Sequence, residues 1–346
     1  MAWLIYGANG YTGELIARKA KERGETPILA GRSAEKLKAL AEKLELPLRA
    51  FDLAAPDLSG VDLVLHCAGP FSATSRPMVD ACLANKAHYL DITGEALVFE
   101  AVLGRDAEAK EHGVVLLPGV GFDVVPSDCL AAMLKEKLPA ATKLELAFAP
   151  LGRSSPGTLK TSIEALPKGG LIRRGGKLIR VKAAHAVREV AFADKTRTCM
   201  SIPWGDVVTA FRSTAIPDVT VYMAARPGMI RSARLSRFTA PLLAMPAVQE
   251  WMKARIERSV RGPDDAARAK SSVQLWGRVQ AGTSAVSLTM TVPDGYSLTA
   301  DAALECALRV RKGGVAPGAW TPSLAFGSRF VSELPGVQVH EPRAES

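Results

Sequence analysis

Three glycines near the start of the chain are spaced to hold a phosphate group. The segment Gly7-Ala8-Asn9-Gly10-Tyr11-Thr12-Gly13 has the pattern G-x-x-G-x-x-G and lies between an apolar run and a helical pattern. Glycines at such a turn allow a tight bend, a close approach of the backbone to a diphosphate, and close helix–strand packing. An ordinary glycine-rich turn is the alternative, which the position in a first βαβ unit disfavours. We therefore predict a dinucleotide-binding turn whose contacts come from Gly7, Asn9, Gly10, Tyr11, Thr12 and Gly13.

The residues after the second predicted strand favour one form of the dinucleotide. An NAD enzyme has Asp or Glu at this point to bind the ribose 2′-hydroxyl, about 20 residues after the glycines. Here the chain has Gly31-Arg32-Ser33. A guanidinium pairs with a 2′-phosphate, which a carboxylate would repel. We therefore expect Arg32 and Ser33 to bind NADP(H), with NAD(H) as the second possibility. A solvated Arg32 and a helix-capping Ser33 are the alternatives.

Two further turns belong to the predicted cofactor site. Asp52 follows the third predicted strand, where its carboxylate could accept a hydrogen bond from the adenine amine or be a plain loop residue. Ala68-Gly69-Pro70-Phe71 follows the fourth strand, where the chain normally passes the cofactor ribose. Gly69 allows a close approach there and Pro70 restricts the turn. We therefore add Asp52, Ala68, Gly69, Pro70 and Phe71 to the predicted cofactor contacts.

Asp123 is the candidate catalytic residue. A Tyr-x-x-x-Lys pair is absent, because none of the five tyrosines has a lysine four positions later. The segment Gly119-Val120-Gly121-Phe122-Asp123-Val124-Val125-Pro126-Ser127-Asp128 follows an apolar strand and opens a helix. Ligands bind at that end of a parallel sheet, so Asp123 could orient a substrate or relay a proton. The alternative is that Asp123 or Ser127 only caps the helix.

The composition limits the partners and ligands. The net charge of +9 is compatible with an anionic ligand, yet no zinc finger or RNA-binding motif is present, so we expect no nucleic acid partner. The five cysteines and five histidines show no metal-ligand spacing, so we expect no metal. A basic segment over residues 168–188 could hold a carboxylate or phosphate of the substrate, or be a solvated loop.

The chain alternates apolar strands and helices over its first 138 residues. Leucines at Leu37, Leu40 and Leu44, with charges between them, predict an amphipathic helix over Ala34–Leu44. Apolar strands joined by helices imply a parallel sheet covered on both faces, so residues 1–138 are predicted to form a doubly wound Rossmann domain of the α/β class.

The pattern changes after residue 138. Residues 139–300 predict an inserted α+β domain for substrate binding or dimerisation, and residues 301–346 are expected to return to the Rossmann domain. In the insert, Asp206–Arg212 is predicted as a strand, and two alternating runs, Ser271–Gln280 and Ser284–Val292, predict a hairpin. Ala247–Arg261, which follows Pro246, predicts a basic amphipathic helix.

At these motifs the sequence resembles the saccharopine dehydrogenase-like oxidoreductases, including the trans-acting enoyl reductase branch. The segments that carry the resemblance are GANGYTGELIA at Gly7, AGRSAEKL at Ala30, CAGPF at Cys67, HYLDITGE at His88, GVGFDVVPSD at Gly119, IPWGDVVTAFRST at Ile202 and TPSLAFG at Thr321. The resemblance implies the same division of the chain and NAD(P)-dependent oxidation or reduction. It leaves the substrate open, because the family contains enzymes of C–N and of C=C bonds.

These observations lead to a functional expectation. We expect an NADP(H)-dependent oxidoreductase that reduces an enoyl C=C or a C=N bond of a small molecule, anionic or acyl-type. The alternatives are a saccharopine- or amino-acid-type dehydrogenase and a non-catalytic NADP(H)-binding regulator. No apolar run approaches the 18 to 20 residues that a bilayer span requires, and the chain start lacks the features of a signal peptide, so a cytoplasmic protein is expected. A homodimer is compatible with the sequence.

Overall fold

Two compact units make up the chain. The computed structural model describes residues 2–150, 155, 157, 159, 160, 163, 169–260 and 262–345. The first unit runs to Val125 and resumes over Tyr296–Pro335, while the second comprises Pro126–Gly295 and continues from Gly336. In the described part of the chain, no helix combines the length and apolar composition needed to cross a membrane.

Strands and helices alternate up to residue 117. In chain order they are β1 Ala2–Tyr6, α1 Tyr11–Glu22, β2 Ile28–Gly31, α2 Ala34–Leu44, β3 Leu48–Ala50, β4 Val61–His66, α3 Phe71–Asn85, β5 His88–Asp91, α4 Ala96–Leu103, α5 Asp106–His112 and β6 Val115–Leu117. The amphipathic spacing works as predicted in α2, where Leu37, Leu40 and Ala41 are buried. In β1, four of the five residues are buried.

The middle of the chain contains most of the second unit. Its elements are α6 Val125–Lys137, β7 Lys143–Pro150, β8 Gly170–Arg174, β9 Lys177–Val181, β10 Val187–Ala191, β11 Thr196–Ser201, α7 Asp206–Thr214, β12 Asp218–Ala224, α8 Pro227–Leu243, α9 Pro246–Ser259, α10 Asp265–Ala269, β13 Ser272–Ala281 and β14 Ser284–Pro293. The prediction of a strand over Asp206–Arg212 is wrong, because this segment is helix α7. Two adjacent valines favour a strand locally, but both are buried on one side of α7.

The last elements are divided between the two units. They are α11 Gly295–Arg311, β15 Gly318–Ala319, α12 Pro322–Phe326, a 3₁₀ turn at Phe330–Glu333, β16 Gln338–Val339 and β17 Arg343–Glu345. Tyr296–Pro335 returns to the first unit, whereas β16 and β17 pair with β14 in the second. The chain divides after Val125, Gly295 and Pro335, whereas the predicted divisions fall after residues 138 and 300. The end of the chain, which was predicted to return to the Rossmann domain, belongs to the second unit because β16 and β17 pair with β14.

The first unit contains a parallel seven-stranded sheet in the order β15-β6-β5-β4-β1-β2-β3. Its six N-terminal strands have the doubly wound order 3-2-1-4-5-6, which confirms the predicted Rossmann domain. The second unit contains a ten-stranded sheet. Its strands pair mostly antiparallel, with β7 and β12 parallel, and the predicted hairpin is β13–β14.

Candidate cofactor and active site

The first unit brings the predicted site residues to one edge of its sheet. Because the strands are parallel, the turns that follow β1, β2, β3, β4 and β6 lie at the same carboxyl edge. All thirteen predicted cofactor contacts and Asp123 follow the ends of these strands. The topology therefore gathers residues that are more than a hundred positions apart in the chain.

The glycine turn after β1 has no room for a side chain at Gly7 or at Gly13. Gly7 has a φ of +86°, and a Cβ on it would lie 2.8 Å from the backbone nitrogen of Ala68. A Cβ on Gly13 would lie 2.3 Å from the carbonyl oxygen of Gly7. Gly10 precedes α1 in an extended conformation and provides no side-chain cap. The turn thus has the close packing that a diphosphate requires, and α1 begins without a side-chain cap from Gly10.

The other residues of this turn have separate neighbours. Asn9 is exposed, and its Oδ1 lies over Gly31, where an added Cβ would be 3.2 Å away. The ring of Tyr11 meets the ring of Tyr296 edge-on, with 5.0 Å between centroids. Thr12 is partly buried in the first turn of α1. The start of α11 therefore packs against the start of α1.

Charged groups of both signs follow β2 and β3. Burial raises the pKa of the Tyr6 phenol, the Asp52 carboxylate raises it further, and the Arg32 guanidinium opposes them. Arg32 is exposed and makes no hydrogen bond or ion pair with the residues that the structure describes. The Asp52 carboxylate accepts a hydrogen bond from the Ala54 N–H at 2.9 Å, and the Ser33 hydroxyl accepts one from Lys36 N–H at 3.4 Å. Ser33 and Asp52 thus have local structural roles, and their cofactor contacts stay predictions.

The turn after β4 is held from two sides. Thr74 donates its hydroxyl to the Ala68 carbonyl at 2.7 Å, and its Oγ1 lies 3.0 Å from Nε2 of buried His66. Burial lowers the pKa of His66 to about 3, so its imidazole is neutral at physiological pH. Gly69 is exposed and Phe71 is buried. These hydrogen bonds hold the turn after β4 in place at the carboxyl edge of the sheet.

Glu95 caps the helix that begins at Phe71, a role that the sequence did not reveal. One carboxylate oxygen accepts the Phe71 N–H at 2.8 Å and the other accepts the Ser72 N–H at 3.2 Å. A carboxylate at a helix N-terminus binds unpaired amides and complements the helix dipole. The cap comes from the turn after β5, so only the motif HYLDITGE, in which Glu95 is the last residue, could have drawn attention to it.

Asp91 is a second functional residue that was not predicted. Its buried carboxylate accepts hydrogen bonds from the Tyr89 hydroxyl at 2.7 Å, from Thr93 N–H at 3.0 Å and from Gly119 N–H at 2.9 Å. Desolvation raises the pKa of Asp91 to about 6 against the effect of these donors. Asp91 therefore ties the turn after β5 to the turn after β6, which carries Asp123.

Asp123 lies at the end of this fixed turn. Its Oδ2 packs over Gly94, where an added Cβ would be 2.6 Å away. Its Oδ1 is buried and has no hydrogen-bond partner among the residues that the structure describes. Desolvation raises the pKa of Asp123 to about 8, so the carboxyl group carries a proton at neutral pH. A neutral acid at the ligand-binding edge of a Rossmann sheet, with one oxygen that no described residue contacts by a hydrogen bond, is equipped to donate a proton.

Much of the basic segment over residues 168–188 forms the β8–β9 hairpin of the second unit. Lys168 lies outside the described residues. Arg173 is buried, and its guanidinium donates to the carbonyls of Val207 and Gly176, both at 2.6 Å, and stacks on Phe211 at 4.2 Å. Arg173 therefore has a structural role.

Arg188 is also engaged within the second unit. Its guanidinium pairs with the buried Glu145 carboxylate at 2.7 Å and lies 4.7 Å from the ring centroid of Trp276. Lys143 and Arg278 approach the same carboxylate at 3.5 and 3.7 Å. Substrate binding by this segment stays a prediction.

The described residues contain no group of three or more His, Cys, Asp or Glu side chains that could hold a metal ion.

Comparison with known proteins agrees with this geometry. Residues 3–117 match the family described as the saccharopine dehydrogenase NADP binding domain. The match ends at β6, so it includes the glycine turn and the turns after β2, β3 and β4. It excludes Asp123 and the entire second unit.

Curated relatives match over a limited part of their length. A human protein named saccharopine dehydrogenase-like oxidoreductase is 28% identical over 160 residues, which are 39% of this chain and 37% of that protein. A protein of Mycobacterium bovis (strain BCG / Pasteur 1173P2) named trans-acting enoyl reductase is 30% identical over 138 residues, 36% of this chain and 33% of that protein. The chain thus spans about a third of the length of these curated relatives.

One solved structure is similar to this chain over its whole length. Apo saccharopine dehydrogenase (L-Glu forming) from Saccharomyces cerevisiae aligns with a TM-score of 0.69 over 100% of both chains, at 12% identity. At this identity the likeness describes the fold alone. It confirms the predicted α/β class.

Proposed function

We propose that this chain is an NADP(H)-dependent oxidoreductase that reduces an activated C=C bond, or a C=N bond, with Asp123 as the proton donor. The observation that carries the proposal is the Asp123 carboxyl group, whose Oδ1 is buried without a partner in the described residues. It stands at the same sheet edge as the glycine turn. The name of the mycobacterial relative supports the C=C reaction.

The chain's residues fit a phosphorylated dinucleotide. Gly10 provides no side-chain cap for α1, and a Cβ at Gly7 would fill the space beside Ala68. These groups would hold the diphosphate. Arg32, exposed at the end of β2, would pair with the 2′-phosphate, and the Ala68–Phe71 turn would border the ribose. NADPH, when bound, supplies a hydride.

Asp123 would complete the reduction. Its neutral carboxyl group donates a proton from oxygen to the atom of the double bond that becomes negative, and the carboxylate then regains a proton from water. The small Gly94 leaves space for the carboxyl group, and the Asp91–Gly119 hydrogen bond holds the turn in place. The neutral carboxyl group of Asp123 argues against the non-catalytic alternative, because a binding protein without turnover needs no proton donor.

NADPH oxidation with crotonyl-coenzyme A and with cyclic imines tests the proposal. Asp123→Asn keeps the side-chain shape but removes the acid, so we expect kcat to fall about 100-fold or more while NADPH affinity is retained. The wild-type rate should also decline as the pH rises through about 8, because the carboxyl group loses its proton there. In Asp123→Asn this decline should be absent.

Asp57→Asn is the matched control, since it makes the same change at an aspartate between β3 and β4 whose pKa is lowered by hydrogen bonds from Ser59. It should leave the rate and the pH profile unchanged. Tight NADPH binding with no turnover of either substrate class would contradict the reductase proposal. Equal turnover by wild type and Asp123→Asn would show that Asp123 is not the proton donor.

A further inference from the structure

Two helices of the second unit form a largely exposed surface, which we call the helical arm: α8 Pro227–Leu243 and α9 Pro246–Ser259. Among the side chains of the arm that the structure describes, only Ile230 is buried. Helices of this length are marginal in water on their own and normally gain stability by packing an apolar face. A surface of this kind gains stability from a partner.

Large apolar side chains are concentrated on the arm. Phe238 is 68% exposed and Trp251 is 64% exposed. Of the eleven exposed large hydrophobic residues in the described chain, six lie on the arm or at its bend: Met229, Leu235, Phe238, Leu242, Met245 and Trp251. Exposed apolar clusters of this kind mark sites of protein or membrane interaction.

The apolar side chains are interleaved with basic ones. Leu235, Phe238 and Leu242 are spaced i, i+3, i+7 and share one face of α8. Arg231 and Arg234 precede Leu235 and Phe238 by one helical turn, beside that face. From Arg226 to Ser259 the sequence has seven basic and two acidic residues, so most of the net charge of +9 lies here.

The second helix repeats this arrangement. Trp251, Arg255 and Arg258 are spaced i, i+4, i+7 and share one face of α9. Trp251 is the exposed aromatic residue of that face. A helix with Trp, Phe and Leu next to Arg is typical of segments that lie in the interface of an anionic bilayer, where the apolar groups enter the acyl boundary and arginines bind headgroup phosphates.

We propose that the helical arm binds the surface of an anionic phospholipid bilayer. A second copy of the arm fits less well, because an isologous contact would place two strongly basic surfaces together. Neutral lipid fits less well too, because it would leave the arginines without counter-charges. The proposal does not depend on the reductase activity.

Flotation of the full chain with lipid vesicles tests the proposal. Wild type should float with vesicles of phosphatidylcholine and phosphatidylglycerol, and not with phosphatidylcholine alone. The variant Phe238→Ala/Trp251→Ala should lose at least about tenfold in partition coefficient, because two exposed aromatic anchors are removed. Leu97→Ala/Leu324→Ala is the matched control, since both residues are exposed hydrophobics outside the arm, and it should float like wild type.

Three results would overturn the proposal. They are no flotation with either vesicle, equal flotation with both, and equal flotation of the arm variant and wild type. Sedimentation velocity tests the alternative that the arm is a subunit interface. This alternative is correct if wild type is a dimer that does not bind vesicles and the arm variant is a monomer. Circular dichroism of both variants shows that a loss of flotation is not a loss of folding.

Discussion

Helices α1 and α3 start at the same edge of the same parallel sheet, yet their first turns differ. The start of α1 follows Gly10, which provides no side-chain cap. The start of α3 is occupied by the Glu95 carboxylate, which accepts two backbone N–H groups. The fold therefore offers two equivalent places for an anion. At α3 the chain's own carboxylate occupies this place, and at α1 we propose that the diphosphate of the cofactor does.

The largest expected effect comes from adding a side chain to the glycine turn that precedes α1. Gly7→Ala places a methyl group 2.8 Å from the Ala68 nitrogen at a φ of +86°, so we expect NADPH affinity to fall beyond about 100-fold by calorimetry. Gly24→Ala is the control, because Gly24 has a φ of +77° and nothing within 4 Å of an added Cβ. Both changes share the backbone penalty of about 1–2 kcal/mol. Equal NADPH binding by the two variants would show that the close approach at Gly7 is unimportant.

A smaller effect is expected at Arg32, which follows β2 at the same sheet edge. Arg32→Ala removes a charge-assisted hydrogen bond worth about 1.5–3 kcal/mol, so NADPH affinity should fall about 10- to 100-fold while NADH affinity stays constant. Arg76→Ala, at an exposed arginine of α3, is the control and should change neither affinity. A parallel loss of NADPH and NADH affinity in Arg32→Ala would assign Arg32 a structural role instead.

The smallest effect is expected at the filled helix start. Glu95→Ala leaves two amides of α3 unpaired, so the free energy of unfolding should fall by about 1–2 kcal/mol in a urea titration. Glu35→Ala removes a carboxylate from the first turn of α2, where Ser33 is the cap, and should cost about 0.3–1 kcal/mol. An equal loss in both variants would mean that Glu95 acts through its charge and not as a cap.

The glycine turn before α1 could be predicted from the sequence, whereas the Glu95 cap of α3 could not. The residues of the glycine turn are neighbours in the chain, but Glu95 lies more than twenty residues from the amides that it caps. The glycine turn and the leucine spacing of α2 are local patterns, and local geometry is enough to recognise them. The Glu95 cap and the Asp91 hydrogen bond to Gly119 join separate turns, and no periodicity records such a pairing. Asp123 could be singled out by its position after a strand, whereas its neutral state depends on burial.

The second unit shows a different limit of prediction. Helix α7 was predicted as a strand because Val207 and Val208 favour extended structure, while tertiary contacts with Arg173 and burial stabilise the helix. The second helix of the arm was predicted from its basic amphipathic pattern, and its partner α8 was not, because Pro227 and Pro241 obscure the helical signal. Context outweighed propensity in both cases.

The route of the chain between the units has a practical consequence. The backbone passes from one unit to the other after Val125, after Gly295 and after Pro335. A fragment that stops at Val125 would lack α11 and the edge strand β15, and a fragment over Pro126–Gly295 would lack β16 and β17. Neither unit can be excised with a single cut, so exchanging the second unit with that of a homologue requires three splice junctions.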